Sequence, residues 1–416
     1  MSAKKARGMT QQPSENIELL APAGNPEKLE IAIHYGADAV YLGGKDFSLR
    51  NFSGIFSLNE LTDAVKYAHR KGVKAYIACN IYARNHEQRA IHDFLLSMKT
   101  IEPDAVIISD PGILMMTRKI IPEIPIHLST QTSTTNFNAA LFWKSAGVKR
   151  INAARELTLD EIGVLASTPG LEIEAFVHGA MCISYSGRCL LSSFMAQRDS
   201  NRGMCCHPCR FEYAVVEALR PGRYYPIAED QRGSYIFNAK DLCMIEHLPQ
   251  MISAGITSLK IEGRMKGIHY LATTVNVYRA ALDGFRKSPE TYQVRPEWLE
   301  ALHKIGNRGY CTGFYLGNPD ETLPDYRGAR MEEQRFIAKA VQKIDSTSTR
   351  VAVRNKFHRH ASVEVVSAGR PDRPDYVQEI LDLNNQPLAC AQPGSFVTIK
   401  LRRAAKPNDL LRKMSS

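Results

Sequence analysis

Nine cysteines lie in the 416 residues, and five of them, Cys182, Cys189, Cys205, Cys206 and Cys209, fall in one short stretch, with Cys243 close behind. Deprotonated thiols are soft, anionic ligands. In a reducing compartment, such a cluster points to metal or redox chemistry before it points to disulfides. Two metal centres suit these residue types. Cys206-His207-Pro208-Cys209 has the Cys-x-x-Cys spacing of a structural zinc site, and four thiolates equally complete the outer coordination of an iron-sulfur cluster. Spacing alone leaves both open. Cys79, Cys311 and Cys390 stand apart and read as packed thiols.

The sequence lacks the usual hydrolytic signatures. His86-Glu87 is followed by His92, the wrong interval for a zinc-binding His-Glu-x-x-His helix, and there is no Gly-x-Ser-x-Gly elbow. A phosphate-binding P-loop and a Gly-x-Gly-x-x-Gly dinucleotide fingerprint are also missing. A net charge of +10 and a pI near 9.1 suit a partner rich in phosphate. With 44% apolar and 23% charged residues the composition is that of an ordinary globular protein. No apolar run approaches the roughly 20 residues that span a bilayer, so no membrane partner is expected. The first residues are basic but are followed by Gln, Pro, Ser and Asn rather than an apolar stretch, so the cytoplasm is the expected location.

These groups need a scaffold to bring them together. From Glu18 the chain repeats a short apolar run, a polar turn and a stretch with helical spacing. Eight such runs occur, at 18–23, 39–43, 74–79, 105–109, 126–129, 150–153, 172–177 and 257–261. Several are continuously apolar, as parallel strands buried on both faces must be. Eight strands alternating with helices predict an α/β fold, a (β/α)8 TIM-like barrel, with an open doubly wound sheet as the competing arrangement. In a barrel the active site forms where the strands end. The residues just after the runs are polar: Asn80, Asp110, Ser129, Arg155-Glu156, His178-Gly179 and Glu262-Gly263-Arg264.

The interval 179–256 is far longer than an ordinary loop and contains all six clustered cysteines, which places them over the barrel mouth. After residue 335 the apolar pattern switches to period two, predicting a small β-barrel. The expected organisation is a flexible basic tail at 1–16 and a barrel at 17–290 with the cysteine-rich insertion 179–256. A helical connector at 291–330, a C-terminal β-barrel at 331–403 and a basic tail at 404–416 complete it.

Glu174-Ala-Phe176-Val-His178-Gly179-Ala-Met-Cys182, continuing to Gly187-Arg-Cys189-Leu-Leu-Ser192, closely resembles the signature of the peptidase U32 (collagenase-like) family. Arg202-Gly203-Met-Cys205-Cys206-His-Pro208-Cys209-Arg210, Leu20-Ala-Pro22-Ala-Gly24, Asn238-Ala-Lys240-Asp241-Leu242-Cys243 and Lys260-Ile-Glu262-Gly263-Arg264 are similar to other landmarks of that family. The resemblance runs from about Ile17 to Leu401. It implies a [4Fe-4S] cluster held by Cys182, Cys189, Cys205 and Cys243, with Cys206 or Cys209 as substitutes, and zinc as the alternative metal. Within the family this chain most resembles the branch that forms 5-hydroxyuridine in tRNA, for which prephenate is implied as a metabolite. Peptidase activity, and hydroxylation of rRNA or of a ubiquinone precursor, are the alternatives.

On that basis the mouth is expected to bind a small anionic metabolite and one flipped-out base of an RNA loop. Arg155, Lys260 and Arg264 are the expected anion-binding residues. Glu156, His178 and Glu262 carry the titratable groups that proton transfer requires.

Overall fold

The computed structural model describes residues 17–45, 47–48, 56–182, 184–210, 214–216, 224–226, 240–317 and 335–414. The expected N-terminal tail at 1–16, the Asn238-Ala239 pair and the last two residues lie outside these.

All eight apolar runs are strands. They are β1 (Glu18–Pro22), β2 (Ala39–Gly43), β3 (Lys74–Cys79), β4 (Ala105–Ile108), β5 (Ile126–Leu128), β6 (Val148–Asn152) and β7 (Glu172–Ala180), and, after a short hairpin of β8 (Ala214–Val216) and β9 (Tyr224–Pro226) and the strand β10 (Asp241–Cys243), β11 (Ser258–Ile261). Neighbouring barrel strands pair in parallel, and β11 pairs with both β7 and β1, closing an eight-stranded barrel. The helices between them follow from their apolar spacing. In Leu58–Arg70, Leu61, Ala64, Val65 and Ala68 recur on one buried face, and a Ser57–Glu60 capping box starts the helix.

The outward side chains of the strands pack against these helices in the main core. The inward ones form a separate apolar cluster that includes Leu20, Tyr41, Tyr76 and Ile107. Charge also lies inside: Glu18, Arg150, Glu174 and Lys260 are all buried.

Two elements extend this plan. β10 lies within the long insertion and pairs antiparallel with the end of β7, with Cys243 opposite His178, and β12 (Tyr310–Cys311) continues the sheet beyond it. β7 is longer than its apolar run because this pairing covers its last residues. Within the interval 291–330, Pro296–His303 is a helix, and residues 318–330 lie outside the described ones.

The C-terminal β-domain is a half-barrel. It contains β13 (Phe336–Lys343), β14 (Ser348–Val353), β15 (Phe357–His358), β16 (Ser362–Val366), β17 (Arg373–Tyr376), β18 (Glu379–Leu381), β19 (Cys390–Ala391), β20 (Phe396–Lys400) and β21 (Leu410–Lys413). Seven of these form one antiparallel sheet in the order β17-β16-β21-β13-β14-β20-β18. The expected basic tail at 404–416 is corrected here, because β21 lies in the middle of the sheet and Arg412 is completely buried. Its guanidinium is neutralised by Glu364 at 2.8 Å and by Asp372, which is what allows a basic residue into the interior. The domain is fastened to the barrel by Tyr35, whose hydroxyl donates to the Val366 carbonyl at 2.8 Å, and by the Lys304–Glu364 pair at 2.9 Å.

Candidate active site

The strand ends and the cysteine-rich insertion enclose a cavity of about 220 Å³. Its floor is basic and aromatic. Lys260 on β11 places its ammonium 4.5 Å from the centre of the Tyr41 ring, and the Arg155 guanidinium lies 3.8 Å above the Phe176 ring. Both contacts are favourable cation–π geometry. Arg155 also donates to the Ala180 carbonyl at 2.6 Å. Burial lowers the Lys260 ammonium below its usual range, opposed by the Glu174 carboxylate at 2.7 Å. Arg264 and Glu262, both buried, complete the floor. A side chain on Gly43 would come within 2.5 Å of the Arg264 guanidinium, so the bare glycine makes room for that group.

The roof is the insertion. Cys182, Cys189, Cys205 and Cys209 all line the cavity. The loop is locked onto the barrel at two points. Glu156 accepts from the Ser186 backbone N–H at 2.6 Å, and Gly187, at φ +72°, packs so closely on the Gln131 carbonyl that a Cβ would overlap it. Burial pushes the Cys182 thiol above its ordinary range; the Ser184 N–H and Arg155 oppose this, and Cys189 and Cys205 add to it. The Ser192 hydroxyl lies 3.6 Å from the Cys205 sulfur and 3.7 Å from that of Cys206.

Among the described residues no three His, Cys, Asp or Glu side chains converge at the spacing of a single metal ion. Four thiols line the cavity, with His207 beside them, and four thiolates are donors that fit an iron-sulfur cluster.

The structure brings Arg155, Lys260, Arg264, Glu262, Cys182, Cys189 and Cys205 to this cavity, and does not bring Glu156, His178, Cys206 or Cys243 to its wall. Glu156 instead anchors the cysteine loop. His178 is buried among the rings of Tyr270, Tyr278 and Tyr310, and burial with Lys266 nearby lowers its imidazole to about 3. Cys243 faces the same enclosure, 3.8 Å from the Tyr278 hydroxyl, and burial pushes its thiol up to about 11. The family resemblance ranks Cys209 behind Cys243. The Cys205-x-x-x-Cys209 interval within one short loop is the signal in the sequence that these two thiols stay together. Sequence reasoning misses Tyr41 and Phe176, because an aromatic residue in a strand reads as core.

The sequence pattern of peptidase family U32 matches residues 24–324, and that of the family's C-terminal domain matches residues 332–412. The chain belongs to peptidase family U32. Among the U32 relatives, "tRNA hydroxylation protein P1" of Bacillus subtilis is 39% identical over 95% of this chain and 94% of its own length. "tRNA hydroxylation protein P" of Escherichia coli is 36% identical over 84% of this chain and 86% of its own. A "Collagenase" of Porphyromonas gingivalis is 27% identical over 95% of this chain and 97% of its own. No helix among the described residues of this U32 chain is long and apolar enough to cross a membrane.

Proposed function

We propose that this U32 chain is an iron-sulfur-dependent tRNA hydroxylation enzyme that converts uridine to 5-hydroxyuridine. The observation that carries the proposal is a single cavity with a roof of four cysteines, Cys182, Cys189, Cys205 and Cys209, and a floor of Arg155, Lys260 and Arg264. The names of the relatives that match most of the chain at 36% to 39% identity support a role in tRNA hydroxylation.

Bound by those four thiolates, a [4Fe-4S] cluster would supply one-electron redox chemistry at the roof. The chain's own residues do the rest. Arg155, Lys260 and Arg264 hold the carboxylates of a small anionic metabolite such as prephenate. The aromatic faces of Tyr41 and Phe176 hold Lys260 and Arg155 in place at the cavity. Glu262, on the wall, is the residue for proton transfer. His178, enclosed and neutral, supports β7 and β10 behind the cavity rather than exchanging protons with a substrate.

The cysteine-rich insertion also suits an RNA loop. Tyr185 is 64% exposed and Phe194 is 83% exposed on it, and unpaired bases stack on such rings. Nucleoside analysis of tRNA from a strain lacking this gene tests the proposal. Loss of 5-hydroxyuridine, restored by the wild-type gene and not by Cys189→Ala, is the expected result. An unchanged nucleoside profile, with release of labelled peptides by the purified protein, returns the hydrolytic reading that the collagenase-named relative suggests.

A further inference from the structure

A second cavity, of about 1020 Å³, lies between the barrel rim and the C-terminal half-barrel. Its walls carry Lys28, Lys266, Arg308, Arg335 and Arg354, and only two carboxylates, Glu27 and Asp241. Glu27 is engaged by Arg354 at 2.5 Å and Asp241 by Arg308. Arg335 is exposed and donates to the Asn355 side-chain oxygen at 3.2 Å. The Lys28 ammonium donates to the Arg264 carbonyl at 2.7 Å and that of Lys266 to the Gly306 carbonyl at 3.1 Å. The lining therefore holds a clear excess of cations, spread over two domains and directed at the same space.

Met265 belongs to the walls of both cavities, so the basic groove lies beside the candidate active site. A small substrate already has its cations inside the mouth. A wide, open, basic groove beside it fits an extended polyanion that continues outward from the reacting group. We propose that this groove docks the sugar–phosphate backbone of the RNA whose base enters the cavity, so that the barrel and the C-terminal domain grip the tRNA together. This rests on the tRNA reading above and adds where the strand runs. Phosphate contacts supply most of the affinity and position the strand, while the cavity selects the base.

The test is anaerobic filter binding of an unmodified tRNA transcript to the full-length protein over a range of salt concentrations. The variants are Arg335→Gln, Arg335→Glu and Arg335→Glu combined with Lys266→Ala, with Lys99→Glu, on the remote helix Gln88–Ile101, as a control for net charge. Affinity is expected to fall about tenfold for Arg335→Glu and less for Arg335→Gln, and the salt slope should drop by roughly one for each phosphate that is no longer neutralised. The control should stay within about twofold of wild type on the same grounds. Binding by wild type with unchanged affinity and slope in every groove variant would overturn the groove while leaving the tRNA reading intact. Failure of the wild type to bind the transcript would overturn the direct tRNA reading, and the groove with it.

Discussion

The Lys260 ammonium and the Glu174 carboxylate meet at 2.7 Å inside the barrel, on the adjacent strands β11 and β7. The other Glu174 oxygen lies 3.7 Å from Arg150, which in turn pairs with Glu18 at 2.5 Å. Alternating charges therefore run from the foot of the barrel to the cavity floor. Removing one member leaves a buried charge without its partner, which typically costs about 3 to 5 kcal/mol. Glu174→Gln should lower stability by roughly that amount in urea unfolding, and Glu174→Gln with Lys260→Met should recover much of it. Equal loss in the single and double variants would show that the pair is not coupled.

The barrel was legible because its strands are buried on both faces and so appear as apolar runs, as in Ala39–Gly43 and Lys74–Cys79. Less legible was whatever depends on the direction in which a side chain points. Cys243 and Cys209 are equivalent as letters, but β10 pairs antiparallel with β7 and puts Cys243 beside Tyr278, while the short turn Pro208–Arg210 leaves Cys209 on the cavity. Arg412 was hidden for another reason. A strand that buries an ion network has the composition of a solvated tail, and nothing nearby in sequence reveals that Glu364 and Asp372 neutralise it.

That network leads to a second prediction. Arg412→Met would leave Asp372 without its cation and Glu364 with Lys304 alone beneath the C-terminal sheet, and should destabilise the half-barrel by about 3 kcal/mol. Thermal unfolding should then show an early transition for this domain. A variant that melts like wild type would mean that Glu364 and Asp372 are satisfied without Arg412.

His127, on β5 inside the barrel, gives the pH dependence. Burial first, then Arg150, Lys260 and Lys74, hold its imidazole well below the usual value, so it is neutral in the folded protein. The unfolded chain takes up a proton there below about pH 6.5 while the folded one does not. The stabilisation is therefore fully present above that pH and is lost progressively as pH falls toward the lowered folded value. His127→Gln should flatten the decline below pH 6.5 by up to about 1.4 kcal/mol per pH unit, the slope for one proton. Identical pH–stability curves for the two proteins would contradict this.

The most direct test of the account is iron, sulfide and zinc analysis of anaerobically purified wild type, Cys209→Ala and Cys243→Ala. About four irons and four sulfides per chain are expected in wild type and in Cys243→Ala, and their loss in Cys209→Ala. Stoichiometric zinc without iron would contradict the redox chemistry placed at this cavity. Iron lost from Cys243→Ala but kept by Cys209→Ala would contradict the ligand set.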